Sequence, residues 1–286
     1  MDAVDAGDVR EWFSWMEGRG ASATSIRNAK TALGAMFATA VEERKARFNP
    51  VRGVRYVPSR DVRLPRKRRP LTLAELGRFM DALPGEWRLF VLLLAHTGLR
   101  IAEAIGLTWA DVHLGDDPRL TVDDQVYQGE RKRLKTANAY RTIPLSPGMA
   151  RALAAWRERT SHPGEGSPLF ASDAGTPLDY ANVYKRVWVP ARDAAGIDGS
   201  EVGAFHCFRH TLGSLIHERG AKSDRQLCDW LGHHDPAFTV REYVGTMDDG
   251  LGEADFLDEL IPVEQWATDG VGSGRASGEG VGVVTG

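Results

Sequence analysis

Cysteine is scarce, because the 286 residues contain only Cys207 and Cys228. Two cysteines cannot form the disulfide framework of a small secreted domain, and they fit a reducing cytosol. An uninterrupted apolar run of about 18 residues is also missing, which argues against a transmembrane helix. The opening residues, MDAVDAGDVR, are acidic and lack the apolar stretch of a secretory signal. We therefore expect a cytoplasmic protein without a membrane partner.

A strong net charge is absent as well, since 36 Lys and Arg residues face 39 Asp and Glu residues. This balance conceals an asymmetry along the chain. Residues 1–70 carry 15 basic and 8 acidic residues, whereas residues 246–286 carry 1 basic and 9 acidic residues. A basic front predicts a polyanionic partner, although charge alone leaves open that these side chains are simply solvated helix faces.

Helical periodicity dominates the hydrophobic pattern, and residues 119–145 form the one convincing β region, with a polar turn around Gln128-Gly129-Glu130. We therefore predict a mainly α fold with a small antiparallel β-sheet. The predicted helices span residues 8–18, 22–43, 71–82, 86–95, 101–107, 147–158, 179–194, 205–219 and 223–231.

Prolines mark residues 58–70 as a linker, because they forbid a continuous helix there, and basic residues give the same segment a high positive charge. Residues 1–57 contain two predicted helices, too few to close a core alone, so they are predicted to form a partial helical domain. Residues 71–262 form the second predicted domain. The Gly-rich residues 263–286 lack any pattern and are predicted to be disordered.

Two segments each carry a basic residue that could bind an anion. In TGLRIAEA, Arg100 opens a short helix and Glu103 follows one turn later, where it can hold the guanidinium. In LKTANAYRTIPL, Lys135 lies at the edge of a β-hairpin. Taken singly, the first pair is usually a structural ion pair and the second side chain is usually solvated.

Two later segments carry groups that can move protons. His206 and Arg209 share one face of a predicted helix, which suits a phosphate and a proton. His206 and His210 could instead bind a metal, but no acid lies between them and Arg209 would repel a cation, so no metal is predicted. Gly232 ends a helix and leaves His233 just beyond it, while Tyr243 follows in a stretch where a tyrosine is usually core.

As a set, TGLRIAEAIGLTW, LKTANAYRTIPL, HCFRHT and LGHHDPAFTVREYVG resemble, in order, the motifs of the tyrosine recombinase (phage integrase) family. The resemblance covers roughly residues 8–260. It implies an integrase-type catalytic domain preceded by a partial core-binding domain, with Glu103 as a supporting acid. It also implies six catalytic residues: Arg100, Lys135, His206, Arg209, His233 and Tyr243.

The chemistry implied by the resemblance cuts and rejoins DNA strands without a cofactor, a metal or a small-molecule substrate. Tyr243 attacks phosphorus to give a 3′-phosphotyrosyl link, with His206 as its base and Lys135 as the acid for the 5′ oxygen. The two arginines bind the non-bridging oxygens, and His233 hydrogen-bonds the phosphate. The protein is then expected in a bacterial cytoplasm, associated with the nucleoid when it is bound to DNA.

Family members clamp double-stranded DNA between their two domains, so the resemblance also assigns phosphate contacts to the basic linker: Arg60, Arg63, Arg66, Lys67, Arg68 and Arg69. Apolar residues at helical spacing in 256–261 either pack on their own domain or dock on a neighbouring protomer, which predicts a homo-tetramer on DNA. By comparison with the family pattern, the chain begins about halfway through the core-binding domain, so a truncated, inactive DNA-binding remnant is the alternative. A related topoisomerase or resolvase is a third, less favoured hypothesis.

Overall fold

The computed structural model describes residues 4–59, 68–134, 139–232 and 254–267. The chain divides into two compact units, Met1–Lys67 and Arg68–Gly286, and the division falls inside the basic segment 58–70. Within the described residues, no helix is both long enough and apolar enough to cross a lipid bilayer.

The smaller unit is built on two helices, α1 (Ala6–Gly18) and α2 (Ala23–Glu42). Asp5 caps α1 and Ser22 caps α2, so both helices begin where their first free N–H groups find an acceptor. The two helices do not close this core alone, because non-helical residues that follow α2 complete it. The shared core contains Val9, Phe13, Ile26, Phe37, Ala40, Ala46, Val51 and Val54.

The core of the larger unit is centred on a helix that is buried on all sides. α3 (Leu73–Asp81) starts at a capping box formed by Thr72 and Glu75. α4 (Gly85–Thr97) follows, and every side chain from Leu89 to Thr97 is buried. A helix that is apolar on all faces belongs inside a domain, which agrees with the composition of this segment.

The β region forms two sheets rather than the one predicted. β1 (Val112–His113), β2 (Arg119–Val122) and β5 (Arg141–Pro144) make an antiparallel sheet in the order β1-β2-β5. β3 (Asp124–Tyr127) and β4 (Glu130–Arg133) form a separate hairpin between β2 and β5.

The hairpin leaves the main sheet because it packs on α5 (Ile101–Gly106). Gly106 allows this contact, since a Cβ atom there would lie 2.9 Å from the Cα atom of Gln125. At the hairpin turn, Gln128 and Gly129 both have positive φ, as expected for a two-residue β-turn. The helix that begins after Arg100 is therefore fixed by the β region.

The remaining helices follow the predicted order. They are α6 (Pro147–Arg159), α7 (Tyr180–Val183), α8 (Val189–Ala194), α9 (His206–Glu218) and α10 (Asp224–Leu231). A π-helical turn, Tyr184–Trp188, joins α7 to α8. Pro190 in the first turn of α8 lacks an N–H donor and crowds the preceding turn, which accounts for the wider turn there. The mainly α fold is confirmed.

The C-terminal described segment packs on its own unit as α11 (Phe256–Leu260) and α12 (Val263–Ala267). Disorder from residue 263 onward was therefore a wrong prediction for residues 263–267, because Val263 and Trp266 fill part of the core. Polar contacts add to this packing: the Trp266 indole donates to Asp81 at 3.1 Å, and His96 Nε2 lies 2.7 Å from the Ile261 carbonyl oxygen.

Deletion of residues 254–286 should destabilise the larger unit by several kcal/mol, because each fully buried large apolar side chain contributes about 1.5–3 kcal/mol. Five such side chains would be lost: Leu257, Leu260, Ile261, Val263 and Trp266. Urea unfolding followed by tryptophan fluorescence measures the change. Deletion of residues 268–286 is the matched control, since it keeps every contact described above. Equal unfolding midpoints for the two truncations would contradict the prediction.

Candidate active site

A tight turn between α4 and α5 positions the first predicted cation. α4 ends at Gly98, which adopts the left-handed conformation with φ of 64°. A Cβ atom on Gly98 would lie 2.7 Å from Leu231 Cδ2, so both the conformation and the space require glycine. Arg100 follows as the N-cap residue of α5, so its backbone is held between two helices.

Arg100 is anchored on one side and open on the other. Its Nη1 atom lies 2.7 Å from Glu103 Oε1, and its backbone N–H donates to Glu103 Oε2 at 2.9 Å. Nη2 donates to the Gly232 carbonyl at 3.4 Å. Since 41% of the Arg100 side chain remains exposed, the guanidinium can still meet a ligand from solvent.

Glu103 is fully buried and has a second partner, Arg141, which the sequence reasoning missed as a site residue. Arg141 Nη2 lies 2.8 Å from Glu103 Oε2. Burial alone would raise the pKa of Glu103, but the charges of Arg141 and Arg100 outweigh it and lower the pKa to about 2. The carboxylate is therefore ionised and shared between two guanidinium groups.

The sequence did contain a signal for Arg141. In β5 the buried positions alternate with less buried ones, and Arg141 shares the buried face with Ile143. An arginine on the buried face of a strand requires a buried acid and further acceptors. Here the further acceptors are the carbonyl oxygens of Trp230 at 2.9 Å and Ala139 at 3.0 Å.

Arg209 brings a second predicted cation to the same place. It lies in the first turn of α9 and is only 2% exposed. Its Nη1 atom donates to the Gly98 carbonyl at 2.8 Å, and Nη2 donates to the Leu231 carbonyl. Both acceptors are neutral backbone carbonyls, and they hold the guanidinium in position.

His206 is the first residue of α9, and its side chain reaches the surface beside these cations. Partial burial of the ring lowers the pKa of His206 to about 4. His210, whose ring stands edge-on at 4.7 Å between centroids, acts in the same direction, as do three arginines: Arg209, Arg100 and Arg68. At neutral pH the imidazole is therefore uncharged and can accept a proton.

The structure thus brings together four of the predicted site residues from two distant parts of the chain. Arg100 donates to the Gly232 carbonyl and Arg209 to the adjacent Leu231 carbonyl, and both charges lower the pKa of His206. Glu103 joins the cluster through Arg100. The other three predicted catalytic residues lie outside the described residues: Lys135, His233 and Tyr243.

Only two of the predicted linker contacts fall within the described residues. Arg68 is exposed and close enough to lower the pKa of His206. Arg69 instead makes a bidentate ion pair with Glu75, both bonds at 2.8 Å, and a further one with Glu201 at 3.2 Å. Arg69 thus ties the start of the larger unit to its helices. The other four lie outside the description: Arg60, Arg63, Arg66 and Lys67.

A metal site was not predicted, and the described part of the chain contains no group of three or more His, Cys, Asp or Glu side chains arranged to hold an ion. Near His206 the neighbouring charges are those of arginines, which disfavour a cation. What the cluster can do is bind an anion through guanidinium groups and accept a proton on a neutral imidazole.

The chain is similar to a known protein family and to several of its characterised members. Residues 69–248 match a family model described as the phage integrase family. The chain is 24% identical over 262 residues to "Tyrosine recombinase XerC-like" of Caldanaerobacter subterraneus, covering 82% of this chain and 66% of that protein. It is 28% identical over 250 residues to "Tyrosine recombinase XerC" of Mycobacterium tuberculosis, covering 84% of this chain and 78% of that one.

Solved structures show the same fold. The integrase of the transposon Tn1549, in complex with a circular intermediate DNA, aligns with a TM-score of 0.71 at 22% identity, covering 91% of this chain and 87% of that one. A lambda integrase tetramer bound to a Holliday junction aligns with a TM-score of 0.61 at 23% identity, covering 82% of this chain and 66% of that one. The chain spans less than two thirds of the first curated relative, at 66% of its length.

The Glu103 carboxylate should make stability depend on pH. Because its pKa falls from 4.5 to about 2 on folding, its contribution is present above about pH 4.5 and disappears as the pH falls towards 2. Glu103→Gln should therefore destabilise the protein most near pH 7, by on the order of 3 kcal/mol, and progressively less below pH 4.5. Urea unfolding at several pH values measures the difference. The exposed Glu158 on α6 supplies the control Glu158→Gln, which should show no such trend.

Proposed function

Because the chain belongs to the phage integrase family, we propose that it is a site-specific tyrosine recombinase that cuts and rejoins double-stranded DNA. One observation carries the proposal: Arg100 and Arg209 converge on the same backbone turn, beside the neutral imidazole of His206. Such a set can hold an anionic phosphodiester and take a proton from a nucleophile. The partner is then double-stranded DNA in a bacterial cytoplasm, and no small-molecule substrate is required.

The two arginines neutralise the phosphate. In the proposed reaction their guanidinium groups bind the non-bridging oxygens and stabilise the extra negative charge of the pentacoordinate transition state. Arg209 is held rigidly by two carbonyl groups, and Arg100 by Glu103 and one carbonyl. This preorganisation supports a reaction in which the protein's own cations, rather than a metal, compensate the phosphate charge.

We propose Tyr243 as the nucleophile, since it stands in the motif that follows His233 and inside the matched residues 69–248. The phenolic oxygen forms a bond to phosphorus while the bond from phosphorus to the 5′ oxygen breaks. The product is a 3′-phosphotyrosyl link and a free 5′ hydroxyl. Because the bond energy is retained, the hydroxyl of another strand can reverse the step and join new ends.

Two proton transfers balance this step. A phenol with a pKa near ~10 must lose its proton, and the uncharged His206 ring is the acceptor we propose. The leaving 5′ oxygen must gain a proton, which we assign to Lys135. His233, directly after Gly232, is assigned a hydrogen bond to the phosphate. The reverse reaction uses the same groups in opposite roles.

The domain assignment follows the same proposal. Residues 1–57 bind DNA as a partial core-binding domain, residues 58–70 link it, and residues 71–262 form the catalytic domain, to which residues 263–267 are added by their packing. Phosphate contacts are assigned to Arg60, Arg63, Arg66, Lys67 and Arg68. Arg69 is left out of this set because Glu75 and Glu201 already pair with it.

We further propose a homo-tetramer as the active assembly on DNA. Strand exchange between two duplexes needs four cuts, and four copies of one chain provide them with closed symmetry. The fold shared with the lambda integrase tetramer on a Holliday junction supports this assembly. In this structure α11 packs on its own domain, so a subunit contact through it requires its exchange between protomers.

Tyr243→Phe should abolish a covalent protein–DNA adduct while DNA binding persists, because phenylalanine lacks the attacking oxygen. A suicide substrate with a nick beside the scissile phosphate traps the adduct, which denaturing gel electrophoresis then measures. The DNA that flanks the gene supplies candidate sites. Tyr127→Phe is the matched control, since Tyr127 is an exposed tyrosine on β3 and should retain full adduct formation.

Binding of these sites without any adduct from the unaltered chain would favour the inactive remnant. An adduct that persists in Tyr243→Phe would assign the nucleophile elsewhere. Sequence-independent relaxation of supercoiled plasmid, without joining of two sites, would favour a topoisomerase.

Lys135→Ala should slow cleavage of an ordinary substrate by about 100-fold or more, in the range of general acid catalysis. The defect should largely disappear with a substrate whose 5′ bridging oxygen is replaced by sulfur, because a thiolate leaves without a proton. Single-turnover cleavage on both substrates measures the rescue. Lys132→Ala on the neighbouring strand β4 is the control and should match the unaltered chain. An equal defect on both substrates would remove Lys135 from the acid role.

A further inference from the structure

We propose that Arg141 is a positioning residue that neutralises the charge of Glu103. The positive charge of Arg100 is then not cancelled by Glu103 and can act on the scissile phosphate. The inference rests on the function proposed above and adds a residue to its machinery. Arg141 itself does not meet the DNA, since only 4% of its side chain is exposed. It acts through the carboxylate that it shares with Arg100.

The burial of the three side chains separates their roles. Glu103 is inaccessible, Arg141 is almost so, and 41% of Arg100 is exposed. Of these three groups, only Arg100 can reach a phosphate that approaches from solvent. The two buried groups can therefore influence a bound phosphate only through the charge and orientation of Arg100.

The charges of the cluster show why a second arginine is needed. Glu103 and Arg100 alone would form a neutral pair, joined at 2.7 Å, and the pair would offer a phosphate little net attraction. Arg141, at 2.8 Å from the other carboxylate oxygen, supplies the compensating charge. The three groups together then carry one net positive charge, and Arg100 is the member that presents it to solvent.

Arg141 is itself held in place by neutral acceptors. Its Nε atom donates to the Trp230 carbonyl and its Nη1 atom to the Ala139 carbonyl. Gly232 packs against the same guanidinium, where a Cβ atom would lie 3.0 Å from Nη1. Arg141 therefore also contacts the end of α10, whose last carbonyls accept hydrogen bonds from Arg100 and Arg209.

A purely structural role for Arg141 makes a different prediction from charge compensation. If Arg141 only supports packing, its loss should harm every reaction at the site equally. If it compensates charge, the harm should depend on the charge of the phosphate and on the charge of Glu103. A methylphosphonate at the scissile position, which lacks one anionic oxygen, tests the first dependence, and Glu103→Gln tests the second.

The experiment compares single-turnover cleavage by full-length variants on phosphodiester and methylphosphonate suicide substrates. Arg141→Met should slow phosphodiester cleavage by about 100-fold, comparable to the loss of one donor to a transition-state oxyanion, while DNA affinity changes little. On methylphosphonate the deficit relative to the unaltered chain should shrink to less than about tenfold. The double variant Glu103→Gln, Arg141→Met should cleave the phosphodiester at least about tenfold faster than Arg141→Met alone, since neither buried side chain then carries a charge.

Arg131→Met is the matched control, because Arg131 also contacts α5, through the Gly106 carbonyl, but does not touch Glu103. It should cleave both substrates at the rate of the unaltered chain. Arg141→Lys keeps the charge and should retain most of the activity that Arg141→Met loses.

Equal deficits on both substrates, without recovery in the double variant, overturn the proposal. Should Arg141→Met fail to fold, the neutral double variant decides alone: cleavage within about tenfold of the unaltered chain supports charge compensation, and a loss as deep as that of Arg100→Ala overturns it. Failure of the proposed function is a distinct outcome, because the unaltered chain would then give no Tyr243-dependent adduct.

Discussion

The buried carboxylate of Glu103 is the interaction on which the rest of the site depends. It pairs with the guanidinium groups of Arg100, the N-cap residue of α5, and of Arg141 in β5. It also accepts a hydrogen bond from the backbone N–H of Arg100, which caps the first turn of α5. A buried negative charge is costly unless it is paired, and its two arginines lower its pKa to about 2. One side chain thereby fixes the start of a helix, the edge of the β-sheet and the exposed arginine.

Around this carboxylate, backbone carbonyl groups do most of the positioning. Those of Gly98, Leu231 and Gly232 hold Arg209 and Arg100, and both glycines adopt the left-handed conformation at helix ends. Carbonyl oxygens at helix ends lack partners within the helix, so they are free to accept bonds from these cations. The arginines thus satisfy the helix ends, and the helix ends orient the arginines.

Membership of the phage integrase family places this arrangement in a fold that tolerates large sequence change, since the aligned integrase structures share 22–23% of residues with this chain. Within that fold the linker is not uniform in role. Arg69 pairs with two glutamates at the start of the larger unit, whereas Arg68 remains exposed beside His206. Neighbouring arginines in one basic segment therefore differ, since Arg69 is held in ion pairs within the larger unit and Arg68 is exposed.

The sequence by itself determined most of the helices and the candidate residues, because helical periodicity and short motifs depend on neighbours along the chain. It predicted Arg100, Glu103, His206 and Arg209 as site residues, and the structure places these four side chains in one cluster. Only the tertiary structure decided the second sheet, the packing of residues 254–267 and the place of Arg141. Those features arise from contacts between residues far apart in sequence, such as Arg141 with Glu103 and Trp230, and local patterns do not encode such partners.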